Sequence, residues 1–198
     1  MNWANKISVI RVLLVPCFVA VVHYFRVSEN DQGETLRLIA IALFSIAVLT
    51  DALDGFIARH FNQKSRLGTI LDPIADKLLL TSAVIVLTFP SMEKTSMGFS
   101  LPYWYAVAVI TRDVIILMGS FLVWMILGDV HIRPSMFGKL TTFLQMAAVL
   151  WVLFIFPKPM VIVYVSALLT VVSGADYMIK GARQLVSAEE EAGKRKQH

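Results

Sequence analysis

The chain has 198 residues, 57% of them hydrophobic and only 16% charged, with a mean hydropathy of +0.70. Ordinary soluble domains carry about 45–50% apolar and about 25% charged residues, so neither a soluble monomer nor a disordered chain fits. The formal charge of +4 therefore points to membrane topology and anionic lipid rather than to nucleic acid.

The apolar residues fall in blocks of about twenty, the length that crosses a bilayer core. A first span is expected over 7–26. Arg11 interrupts its apolar run and no small-residue cleavage pattern follows, so it reads as a helix and not as a cleaved leader. It carries Cys17, the single cysteine, which excludes an intramolecular disulfide. A polar connection at 27–35 leads to a second span over 36–58. The third is expected over 73–90, with Asp72 as its N-cap and Pro73 at the first helical position. Polar, Gly and Pro punctuation at 91–100 and 128–137 separates the spans expected over 101–127 and 138–156. The last runs over 159–181. Trp3, Tyr103, Trp104 and Tyr105 stand at span ends, where aromatic belts anchor helices. These elements describe one all-α integral membrane domain over 1–198, with no repeat and no linker. His23, His60, His131 and His198 are scattered and form no metal-binding cluster.

Lys and Arg set the orientation. One face collects Lys6, Arg11, Arg59, Lys64, Arg66, Arg133, Lys139, Lys180, Arg183, Lys194, Arg195 and Lys196, twelve of the 18. The other face has four, Arg26, Arg37, Lys94 and Lys158, while Lys77 and Arg112 fall inside spans. Both termini are expected in the cytoplasm.

The chemistry concentrates in residues 51–76, DALDGFIARHFNQKSRLGTILDPIAD. Asp51 and Asp54 are three apart, Asp72 and Asp76 four apart, and each spacing puts two carboxylates on one helix face. Each carboxylate at a helix centre in the membrane costs about 2.5–3.5 kcal/mol. Two divalent cations would neutralise all four, and oxygen-only ligands suit Mg²⁺ or Mn²⁺. Such a pair commonly polarises a phosphoryl group and activates an oxygen nucleophile. The competing reading is a set of interfacial caps and salt bridges to Arg59, Lys64, Arg66 and Lys77, but four acids in matched pairs argue against it. Gly55, Ala58 and Gly68 let helices approach closely and leave room for a ligand. Arg59 could hold a diphosphate bidentately.

The pattern Asp51-x2-Asp54-Gly55-x2-Ala58-Arg59-x8-Gly68-x3-Asp72-x3-Asp76 resembles, at every position, the signature of the CDP-alcohol phosphotransferases. The opening NKISVIRVLLVP, with Asn5, Ser8, Arg11 and Pro16, is similar to the family's N-terminal motif. Gly138-Lys139-x-Thr141-Thr142-x-x-Gln145 and Ser173-Gly174-x-x-Tyr177 resemble segments of its bacterial phosphatidylglycerophosphate synthases. The resemblance implies six transmembrane helices, a homodimer and a cytoplasm-facing active-site cavity. It implies that Asp51, Asp54, Asp72 and Asp76 bind two metal ions, with Asp76 also the general base. Asp51, Gly55, Ala58, Arg59 and Gly68 would contact the CDP group. The acceptor hydroxyl would attack the β-phosphorus of CDP-diacylglycerol and release CMP.

A phosphorylated acceptor needs cations, and Arg112, Lys139, Arg133, Lys180 and Arg183 are candidates. Asp113 points to a different face of the helix from Arg112 and is the weaker partner for it. Glycerol 3-phosphate is the expected acceptor. Arg112-Asp113 looks more like the cardiolipin synthases, which makes phosphatidylglycerol the alternative. A small ion or metal transporter is the alternative from another class, but the acids gather at one end and no inverted repeat is visible.

Overall fold

The computed structural model describes residues 3–27, 32–60, 66–89, 100–127 and 136–195, with side chains at all of these except 3–9, 27, 32, 51–60, 66–76, 124, 127, 185 and 187–195. Six α-helices make up the described chain: α1 (Trp3–Val27), α2 (Gln32–His60), α3 (Arg66–Thr88), α4 (Tyr103–Leu127), α5 (Met136–Leu153) and α6 (Pro159–Arg195). Among the described residues, four stretches are long and apolar enough to cross a bilayer. They are Gly33–Thr50, Tyr103–Val123, Met136–Leu153 and Pro159–Gln184. Lys77–Thr88 is a shorter apolar helix.

Two helix ends differ from the sequence reading by more than four residues. α3 begins at Arg66, so Asp72 lies inside the helix and cannot be its N-cap, and Pro73 is not at the first position. Neighbouring helices in a membrane tolerate such an interior proline. α6 continues from 181 to Arg195. Apolarity ends there, but the following Ala, Glu and Arg residues keep helix propensity high.

The described residues form two compact units, 1–103 with 146–159, and 104–145 with 160–198. In the first, α1 packs against both α2 and α3. Its buried stripe is Phe18, Val22 and Phe25; α2 supplies Ala40, Phe44 and Ala47, and α3 supplies Leu80, Ala83 and Leu87. Each stripe recurs every three or four residues, one face of a helix. Phe18 and Phe44 meet with ring centroids 5.5 Å apart. Lipid tails are as apolar as these side chains, so the association rests on close packing and on interhelical hydrogen bonds. Where α5 ends, Ile155 and Lys158 adopt positive φ of 56° and 52°, and the Trp151 indole N–H donates to the Pro157 carbonyl at 3.1 Å.

The second unit is held by a polar seam along α6. Tyr105 on α4 pairs with Ser166 at 2.8 Å, and Gln145 on α5 donates to Thr170 at 2.9 Å. Thr141 bonds the Leu169 carbonyl at 3.0 Å, and Ser120 pairs with Tyr177. Tyr105 is therefore buried, contrary to its expected place in an aromatic belt. Its hydroxyl finds an interior partner on α6. Tyr103 and Trp104 do stay exposed, with Trp104 stacked on Tyr164.

Candidate active site

The signature residues are divided between two helices of the first unit. Asp51, Asp54, Gly55 and Ala58 recur at helical spacing near the end of α2, and Arg59 follows them. Gly68, Asp72 and Asp76 recur every four residues in the first half of α3. The backbone register thus puts each carboxylate pair on one helix face, as the spacing requires. The side chains of all eight residues lie outside the described set. The donor set itself, four carboxylates in two helical pairs, fits hard divalent cations and no softer metal.

The second unit holds the other candidates. Arg112 is buried on α4, 6% exposed. Its Nη1 donates to Asp113 Oδ1 at 2.8 Å and its Nη2 to Ser173 Oγ at 3.1 Å. Asp113 is thus the direct partner of Arg112, where helix-face reasoning made it the weaker one. The guanidinium stands on enough methylenes to turn back across the intervening angle. Two glycines lie against it, at distances where an added Cβ would make ordinary contact. A Cβ at Gly138 would stand 3.4 Å from Arg112 Nη2, and one at Gly174 would stand 3.7 Å from Arg112 Cγ. Arg112 Nε has no hydrogen-bond partner, so the guanidinium keeps donor capacity for a ligand.

Lys139 follows Gly138 in the first turn of α5 and is exposed, close to the positive end of a helix dipole. Arg183 is exposed on α6. Lys180 forms an i,i+4 ion pair with Asp176 at 2.7 Å. Arg133 lies outside the described residues. The helices bring Arg112, Gly138, Ser173 and Gly174 together. Ser173 was visible beforehand only as part of the SGADY segment. No local pattern announces a pairing with Arg112 across 61 residues.

The described residues are all-helical, with four helices long and apolar enough to cross a bilayer, which is the make-up of a membrane protein. The family model for CDP-alcohol phosphatidyltransferases matches residues 1–172, and the chain belongs to that family. It is similar to a probable phosphatidylglycerophosphate synthase of Mycobacterium tuberculosis, 32% identical over 93% of this chain and 83% of that one. It is also similar to the CDP-diacylglycerol–glycerol-3-phosphate 3-phosphatidyltransferase of Bacillus subtilis, 33% identical over 90% of this chain and 94% of that protein. The Escherichia coli enzyme of that name is 35% identical over 77% of this chain and 76% of its own length.

Proposed function

We propose that the chain transfers a phosphatidyl group from CDP-diacylglycerol to glycerol 3-phosphate, giving phosphatidylglycerophosphate and CMP. The observation that carries this reading is the complete signature on α2 and α3, in a chain whose relatives bear that enzyme name. The family match extends across both compact units, which favours one membrane domain acting as a whole. Six spans, a cytoplasm-facing cavity, cytoplasmic termini and a homodimer complete the proposal.

Asp51, Asp54, Asp72 and Asp76 would hold two divalent cations, which when bound would neutralise the diphosphate and the crowded carboxylates. Gly55, Ala58 and Gly68 leave space beside them for the CDP group. Arg59 donates to the diphosphate and offsets the charge that CMP carries away. Asp76 takes the proton from the acceptor hydroxyl. The freed oxygen bonds to the β-phosphorus as the bond to the bridging oxygen of CMP breaks, in line. Arg112 and Lys139, with Arg133 and Arg183 as further cations, bind the acceptor's phosphate.

The test is an acceptor panel. Purified protein with CDP-diacylglycerol and Mg²⁺ or Mn²⁺ should release CMP with glycerol 3-phosphate, and EDTA in excess should abolish it. Full turnover in EDTA refutes the metal reading. CMP release that ignores glycerol 3-phosphate and requires phosphatidylglycerol makes the chain a cardiolipin synthase.

A further inference from the structure

α1 and α3 enclose a groove of about 510 Å³. Val19, His23 and Arg26 line it from α1, Ser82 and Ile85 from α3, and Phe89 just past the end of α3. Each set recurs at helical spacing, so the groove follows both helices for seven residues, about 10 Å. Its two ends differ in chemistry. Val19 and Ile85 give an apolar length, whereas His23 and Arg26 bring hydrogen-bond donors and positive charge to the end where Phe89 lies.

Arg26 is the unusual member. It is 1% exposed, and all its partners are neutral. Nη1 donates to the carbonyls of Val86 and Phe89, the latter at 2.8 Å, and Nη2 donates to Ser100 Oγ at 3.0 Å. Nε has no partner at all. A guanidinium is always charged, and a buried charge without a counter-ion is costly. Among the described residues no carboxylate supplies that counter-ion. His23 beside it is exposed and offers a ring N–H in either protonation state.

We propose that this groove is a binding site for a phospholipid of net negative headgroup. The phosphate sits at the His23–Arg26 end and one acyl chain lies along Val19 and Ile85. An apolar slot with a single cationic end matches an anionic amphiphile, and neither a free anion nor a neutral chain satisfies both ends. The site is separate from the proposed reaction. Thr88, the last residue of α3, lies twelve residues beyond Asp76, about 18 Å along the helix axis. With the N-terminus cytoplasmic, the bound lipid belongs to the opposite leaflet.

Native mass spectrometry of the full chain in detergent tests this, with phosphatidylglycerol, phosphatidylcholine and inorganic phosphate as separate probes. Wild-type protein should retain phosphatidylglycerol at least tenfold better than phosphatidylcholine. Ser82→Trp, which fills the groove, and His23→Glu, which puts a like charge at an exposed position, should each cut that retention at least fivefold. CMP release should stay within twofold of wild type in His23→Glu. Arg26 also caps α3 through two carbonyls, so His23→Glu carries the test even where an Arg26 or Ser82 variant fails to fold. Equal retention of the two lipids overturns the proposal, as does unchanged phosphatidylglycerol retention in a folded His23→Glu. Binding of inorganic phosphate without lipid preference assigns the site to a free anion and overturns the lipid reading.

Discussion

Arg112 shows what a full charge needs inside an apolar bundle. Asp113 offsets its charge, Ser173 fixes the second arm, and Gly138 and Gly174 pack against it. Removing one partner of such a buried pair costs about 3–5 kcal/mol, so Asp113→Asn should lower the unfolding midpoint in detergent strongly. Arg112→Ala should raise the KM for glycerol 3-phosphate more than tenfold, because a buried charge contact is worth about 2–5 kcal/mol. The KM for CDP-diacylglycerol should move far less, since the proposed diphosphate ligands are on α2 and α3. Parallel rises in both KM values would remove Arg112 from the acceptor site. The carboxylates separate in the same way. Asp54→Asn should lose activity and recover part of it at high Mg²⁺, because a ligand charge is missing. Asp76→Asn removes the proton acceptor as well, and added metal should not rescue it. Near wild-type turnover of Asp76→Asn in saturating Mg²⁺ would overturn the base assignment.

At the scale of the helices, six elements were legible, four of them as described apolar runs of membrane length, which are hard to produce by chance. Their ends were less so. Asp72-Pro73 carries a strong helix-start signal, yet α3 already includes RLGTIL ahead of it, so a local start signal does not by itself fix where a helix begins. The end of α6 was misread for the opposite reason, because hydropathy falls before helix propensity does. The spacing of the four carboxylates could be read because it is local to each helix. The Arg112–Ser173 and Tyr105–Ser166 bonds could not, because periodicity says which residues face inward and not which distant residue they meet. One such meeting makes a prediction. A Cβ at Gly119 would stand 3.0 Å from Tyr177 Cε1, while the Tyr177 hydroxyl pairs with Ser120. Glycine here lets α4 and α6 approach under the ring. Gly119→Val should destabilise the protein by about 1–3 kcal/mol through overpacking. Adding Tyr177→Ala should recover part of that loss in a double-mutant cycle, whereas strictly additive effects would show that the two residues do not share the space.

For the whole molecule, the asymmetry of Lys and Arg links the fold to its chemistry. Twelve cations against four favour cytoplasmic termini, and with them a reaction on the side where nucleotide-activated lipid is made. The same orientation would put the 59–72 stretch of the signature on the cytoplasmic side and Arg26 on the other. The single native cysteine makes this directly measurable. Cys17 is exposed on α1 and should first be replaced by Ser. Lys64→Cys and Glu190→Cys, introduced singly in that background, should then resist a membrane-impermeant maleimide in intact cells and react in inverted vesicles. Lys94→Cys should show the reverse and so controls for reagent access. Labelling of position 64 or 190 from outside intact cells would invert the topology. It would put the four carboxylates on the face away from the nucleotide, and the cytoplasmic reaction would have to be abandoned.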